Sequence, residues 1–311
     1  MAPPRTSFHT TGERVPYDHS YIVTNQTYVQ YFPPTSKHGY NHYVPEKRRP
    51  LVFIHGGGLT GAIAPDELRS TAGSVGHRTA KKIWDRFRIG PVDGYDARRV
   101  FEGGQFPVEA FDALVGGQSA RRWGNDEMEA KGIVDAITKI GDCEVIAHSH
   151  GAALIIDVLD NIGHLVKDLA LVEPGGTASA GNLIPSVRTV VYWGDYLDTL
   201  PAWVKIAAPY DTTPTEVVRL PEMGVKGNSH FPMLDRNSDQ VFKVILTWLN
   251  SGPNASKVDI RDYPLPSLWI DRHGLTLRFG ALCWWIVFML AHSISAGSFR
   301  LPFLRKVQKR C

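Results

Sequence analysis

The amino-acid sequence predicts an α/β fold built on a doubly wound, mostly parallel sheet, and three observations carry that expectation. Short apolar runs bounded by turn residues alternate with stretches of helical periodicity. The runs lack the in-out alternation of a half-solvated sheet, as strands covered on both faces do. No fixed-period repeat or low-complexity block is present, which removes solenoids and propellers.

The elements follow in chain order. Leu51, Val52, Phe53 and Ile54 form an apolar run closed by Gly56, Gly57 and Gly58, the pattern of a buried strand entering a glycine loop. Residues 80–87 read as a helix, and Met128, Ile133, Val134, Ile137 and Ile140 place another over residues 126–140. That helix leads into a second buried strand at 143–147. Residues 152–159 are apolar on most sides and predict a buried helix ending near Gly163. Further strands are expected at 169–172, 190–193 and 216–220, and a closing helix at 239–249.

Composition bounds what such a chain can be. Of 311 residues, 43% are hydrophobic and 21% charged, enough apolar side chain to bury a core, so wholesale disorder, collagen and coiled coil are excluded. Cys143, Cys283 and Cys311 are too few and too far apart for a disulfide framework or a zinc motif. The net charge of +3 is uneven: residues 253–311 hold nine Lys or Arg against three Asp, an excess of +6 that leaves −3 on the first 252 residues. A body of that charge has no electrostatic reason to bind polyanions, so nucleic acid is not an expected partner.

The chain divides after Gly252, where Pro253, Asn254 and Ser256 interrupt helical periodicity, into a domain over 1–252 and an extension over 253–311. Within the extension, residues 279–299 contain no Asp, Glu, Lys or Arg and match the roughly 20 residues that cross a bilayer core. Arg278 before them, and Arg300, Arg305, Lys306, Lys309 and Arg310 after them, suit anchorage among headgroups. A spanning helix and an interfacial or buried helix both fit. Residues 1–17 contain no apolar run and do not read as a secretory signal. The expected location is therefore cytoplasmic, or a membrane with the domain in the cytosol.

The strongest chemical signal is Ala147-His148-Ser149-His150-Gly151, between a strand and a buried helix. Small residues around a serine at that junction allow a strained turn that exposes the hydroxyl at a helix N-terminus, with Ala147 standing where the usual G-x-S-x-G pattern has glycine. A serine hydroxyl needs a base to take its proton and an acid to orient that base. His230, in Gly227-Asn228-Ser229-His230-Phe231 before the closing helix, is the candidate base. His148 and His150 flank the serine and point away from it, into packing or pocket roles. Glu173, in Glu173-Pro174-Gly175-Gly176, is the preferred acid, and Asp195 and Asp198, one strand later, are the alternatives. His55-Gly56-Gly57-Gly58 could bring backbone amides to a developing oxyanion: the expected hole is Gly57, Gly58 and the amide of His150. Gly56, Gly58 and Gly61 also satisfy G-x-G-x-x-G, yet no strand ending in Asp or Glu follows about 20 residues on, as a dinucleotide site requires.

Together, residues 27–31, 51–61, 147–151, 171–176 and 227–234, with Phe106-Pro107-Val108-Glu109-Ala110-Phe111, resemble the α/β-hydrolase superfamily and its branch of esterase 713-like serine hydrolases. The resemblance implies a Ser149–Glu173–His230 triad that hydrolyses small-molecule carboxylic esters through an acyl-enzyme, with no metal and no organic cofactor. Relatives of that kind follow the glycine loop with a helix, an apolar strand and a D-x-P-G-x-G-x-S turn, whereas residues 64–105 hold no such strand or turn. That departure keeps a second expectation open, a membrane-associated homologue that binds a ligand or partner without catalysis. Lactone or amide hydrolysis by the same triad is a nearer alternative. The sequence does not specify the acyl group, the alcohol or the oligomeric state.

Overall fold

The protein is described by a computed structural model covering residues 49–56, 78–116, 126–175 and 180–252, together with the backbone of several short strands outside them. Those short strands form antiparallel pairs: β1 (Thr6–His9) with β4 (Tyr28–Tyr31), β2 (Glu13–Tyr17) with β3 (Ser20–Thr24), and β6 (Val75–Gly76) with β7 (Arg121–Arg122). The extension 253–311, including 279–299, lies outside the described residues, among which no helix is long and apolar enough to cross a membrane.

Among the described residues the body is a five-stranded, wholly parallel sheet. Its strands are β5 (Leu51–Ile54), β8 (Cys143–His148), β9 (Val166–Val172), β10 (Arg188–Trp193) and β11 (Glu216–Arg219), in the spatial order β11-β10-β9-β8-β5. Successive side chains enter opposite faces, so each central strand serves two cores. Val145, Ala147, Leu169, Leu171, Val191 and Trp193 face one; Ile146, Ala170, Val172, Val190 and Tyr192 face the other. The first core is covered by α3 (Asp126–Ile140), α4 (His150–Asp157), α5 (Leu159–Ile162) and α6 (Pro201–Ala207), the second by α7 (Ser238–Ser251). Helices on both faces make the sheet doubly wound, and each strand and helix expected within the described residues is present with ends moved by a few residues.

Two details depart from expectation. The buried helix after β8 is interrupted at Val158, which separates α4 from α5. The second concerns residues 64–105, of which 64–74 and 77 lie outside the described residues. Among the described residues β5 pairs on one side only, with β8, and its four residues are half-buried rather than enclosed. Residues 78–116 instead form α1 (Ala80–Arg86) and α2 (Phe111–Gly116), and build a third core. There Ile83, Trp84, Phe87, Ile89, Phe106 and Phe111 pack with Phe231 and Met233, the residues that follow His230. The atypical segment is thus a wall against the loop that carries the candidate base.

One arginine ties the sheet to α7. Arg188 Nε donates to Asp168 Oδ1 at 2.5 Å, Nη2 donates to the carbonyls of Trp248 and Leu249, and Nη1 to that of Gly252. Its guanidinium also lies 3.8 Å over the Trp248 ring. A cation at a helix C-terminus meets carbonyls that have no intrahelical donor, and charge-assisted bonds of this kind are the stronger ones. Arg188→Ala is therefore expected to lower unfolding free energy by about 2 to 3 kcal/mol, read from the urea midpoint. An unchanged midpoint would show that α7 is held by its apolar face alone.

Candidate functional site

The chemistry-bearing residues converge at the C-terminal ends of β8, β9 and β10, where open α/β sheets bind ligands. Ser149 follows β8 with φ 52° and ψ −121°, a conformation that strains any side chain. Four backbone bonds hold it: Ser149 N donates to Val172 O at 3.0 Å, while Ser149 O accepts from Ala152 N at 3.0 Å, Ala153 N at 3.3 Å and Gly175 N at 3.1 Å. The turn closes only around small residues. A Cβ at Gly151 would collide with the His55 carbonyl, and one at Gly175 would sit 3.1 Å from Ser149 Oγ. A serine ahead of a helix commonly caps it, but this hydroxyl makes no cap bond. It lies 2.9 Å from His230 Nε2.

His230 is buried at 1% exposure, with Nδ1 at 3.2 Å from Glu173 Oε2. Glu173, itself fully buried, ends β9 with φ 51°, its amide donating to Tyr192 O at 2.9 Å and its Oε1 accepting from Gly194 N at 2.5 Å. The sheet therefore joins hydroxyl, imidazole and carboxylate in one hydrogen-bonded chain. Asp195 serves a different contact: Oδ2 accepts from Gly227 N at 2.9 Å and Oδ1 from Tyr196 N at 3.2 Å, which fixes the start of the histidine loop. Asp198 is exposed, on the single 3-10 turn Leu197–Thr199. Gly57 and Gly58 lie outside the described residues, and His150 is the first residue of α4.

Several groups that sequence reasoning missed hold this chain in place. Arg88, wholly buried, puts Nη2 2.6 Å from Glu173 Oε1 and donates from Nε to Asp195 O at 2.9 Å. Phe87 O accepts from His230 N at 2.9 Å, and the Phe87 ring stacks on the imidazole at 5.0 Å and 11°. Trp203 closes the other side, 4.5 Å from the His230 ring. Asp235 ties the loop internally, accepting from Ser229 N at 2.8 Å, Ser229 Oγ at 2.9 Å and Asn228 Nδ2 at 3.2 Å. The available signal was compositional: Arg88 between the apolar Phe87 and Ile89, in a stretch 83–89 that also holds Asp85 and Arg86, and a lone acid five residues after the histidine.

Burial sets the electrostatics. It pushes Glu173 up, but the Arg88 charge and the bonds from His230 outweigh it and hold the carboxyl below the usual range. Burial pushes His230 down, against the pull of Glu173, so the imidazole is neutral at neutral pH. His148, beneath it, is held down to about 3 chiefly by burial, and its Nε2 meets His230 O at 2.8 Å. Since that carbonyl can only accept, Nε2 of His148 carries the proton. Asp235 is pushed up to about 7 by burial, opposed by the bonds from Ser229 and Asn228.

His150 is buried, bracketed by Asp126 Oδ1 at 3.2 Å from Nε2 and Glu129 Oε2 at 3.6 Å from Nδ1. These three side chains are the one group among the described residues whose ligand atoms, within 4.8 Å of one another, could hold a cation. Each ring nitrogen faces a different carboxylate, which is the geometry of a bracketed imidazole rather than of ligands converging on one point.

No protein-family model matches the sequence, and neither does any curated protein. Similarity appears among solved structures. A bacterial esterase aligns with a TM-score of 0.66 and 22% identity over 80% of this chain and 96% of its own. A peroxisomal α/β-hydrolase of Saccharomyces cerevisiae, Lpx1, aligns over 96% of this chain and 98% of its own with 12% identity and a TM-score of 0.42. The parallel sheet wound on both faces, the strained turn after β8 and the likeness to the bacterial esterase establish that this chain has the α/β-hydrolase fold.

Proposed function

We propose that the protein is a serine hydrolase of small carboxylic esters, with Ser149 as nucleophile, His230 as general base and Glu173 as the acid that orients it. The observation that carries this reading is the 2.9 Å contact between Ser149 Oγ and His230 Nε2, made by a hydroxyl on a strained turn that does not cap its helix. In the first step Ser149 Oγ forms a bond to the acyl carbon while its proton passes to His230 Nε2. The imidazolium then protonates the departing alkoxide, and the alcohol leaves. Water, deprotonated by the same nitrogen, attacks the acyl-enzyme, and the acid is released as Ser149 regains its proton. The negative charge on the carbonyl oxygen is assigned to Gly57, Gly58 and the amide of His150, at the N-terminus of α4 where the helix dipole favours an anion.

Nδ1 must carry a proton for this chemistry, and donates it as a hydrogen bond to Glu173 Oε2 without giving it up. The low proton affinity of the buried carboxyl keeps it an acceptor across the neutral range. Bite on a substrate is governed at one wall by Gly175, since any side chain there would stand against the hydroxyl.

The deciding experiment is labelling of the full chain with a fluorophosphonate, followed by mass spectrometry of the modified peptide. A single adduct on the peptide containing Ser149, together with turnover of short aryl esters, is the expected result. Failure of the folded protein to label would reject the reading and favour a non-catalytic homologue.

A further inference from the structure

Three buried or half-buried residues of the site share a positive φ: Ser149 at 52°, Glu173 at 51° and Arg88 at 53°. The proposed reaction uses the first two and leaves Arg88 without a task. Yet Arg88 is 0% exposed, and taking a guanidinium wholly out of water is costly unless its charge is matched. The match is Glu173 Oε1, 2.6 Å from Nη2, on the carboxylate whose other oxygen faces His230. Among the described residues Nη1 has no hydrogen-bond partner, and the close Nη2 contact is off the direction of an aligned bond, so the interaction is chiefly one of charge. Nε is fixed by Asp195 O, and the guanidinium lies 4.9 Å from the Trp203 ring, which also packs on His230.

In a hydrolase triad the acid's charge normally belongs to the imidazole it orients. Here one carboxylate is divided between a permanent guanidinium and an imidazole that becomes charged only during reaction. We propose that Arg88 is a positioning residue of the Ser149–His230–Glu173 chain: it takes up part of the Glu173 charge, turns Oε2 toward His230, and so keeps the imidazole in its neutral, proton-accepting form. This rests on the proposed triad for its kinetic consequence, but its effect on the proton affinity of the His230–Glu173 pair stands apart from catalysis.

The sign follows from the charges around the pair. Glu173 approaches His230 from the end of β9; Arg88 and Arg86 face it from the end of α1, and His148 lies beneath it from β8. Asp235, in the same loop, faces Glu173. Burial and both arginines oppose the imidazolium, and Glu173 favours it. Removing the Arg88 charge withdraws one opponent and returns the whole carboxylate charge to the pair. A proton added to the pair is then held more tightly, whichever partner carries it.

The test is a titration of the His230 ring by NMR in the full-length wild type, Arg88→Met and Arg88→Lys. The wild-type ring should remain neutral below the ordinary histidine range near about 6.5. Arg88→Met should take up its proton about one pH unit higher than wild type, and Arg88→Lys, which keeps the charge, should stay near wild type. The acid limb of kcat/KM should move in the same order. Coincident titrations of wild type and Arg88→Met, or a wild-type ring titrating in the ordinary range, would overturn the proposal. If Arg88→Met fails to fold, the wild-type titration and Arg88→Lys decide. Failure of the catalytic reading would show instead as absent labelling of Ser149, which leaves the titration readable.

Discussion

Replacing Ser149 by alanine is expected to abolish fluorophosphonate labelling and to lower hydrolysis of short aryl esters by on the order of 10⁴ to 10⁶-fold, since a triad without its nucleophile retains only binding and oxyanion stabilisation. The fold should scarcely change. The hydroxyl makes no cap bond, and the turn is held by the bonds of the Ser149 amide and carbonyl, which alanine keeps. Glycine at the same place is expected to be equally inactive and about 1 kcal/mol more stable, because φ 52° with ψ −121° strains every residue with a Cβ. Such a gain on loss of function, measured by urea denaturation, would show that the turn is strained for the sake of exposing the hydroxyl. Labelling that persists in Ser149→Ala would place the reactive nucleophile elsewhere and end the proposed mechanism.

The parts of this molecule that were legible in the sequence are those whose signal is local. Continuous apolar runs such as 169–172 and 190–193 can be satisfied only by strands buried on both faces, and they lie within β9 and β10. Ser149, Glu173 and His230 each stand in a short motif of small or turn-forming residues, so each could be singled out before their convergence was known. Between Glu173 and Asp195, strand position argued for one and the proline and glycines for the other. The choice depends on which carboxylate reaches Nδ1, a distance across three chain segments that no local pattern encodes. Arg88, Phe87 and Trp203 were illegible for the same reason. Arg88 and Phe87 stand in a mixed stretch with Asp85 and Arg86, and its meaning comes from residues 85, 107 or 143 positions away in sequence. Residues 64–105 read as a damaged region because a strand was sought there, whereas residues 78–105 within it contribute α1, part of a separate core and the charge opposite Glu173.

Exchanging Glu173 for glutamine should do two separable kinds of damage. Glutamine keeps an oxygen for the Gly194 amide but no longer offers a charged acceptor to His230 Nδ1, so kcat/KM for an aryl ester should fall by roughly 10⁴-fold, as for other triads that lose the acid. Stability should fall as well, by about 3 to 5 kcal/mol, because Arg88 is left charged and without its counter-ion in a site that excludes water. The second loss is reversible by design. Adding Arg88→Met removes the uncompensated charge, so the double variant should regain most of the stability while remaining as inactive as Glu173→Gln, a non-additivity that a merely steric role for Glu173 would not produce. Asp195→Asn supplies the control. Its carboxylate anchors Gly227 and Tyr196 rather than the imidazole, so activity should fall only about tenfold, through a loosened histidine loop. A larger kinetic loss from Asp195→Asn than from Glu173→Gln would transfer the orienting role to Asp195, and with it the reason for burying an arginine beside Glu173.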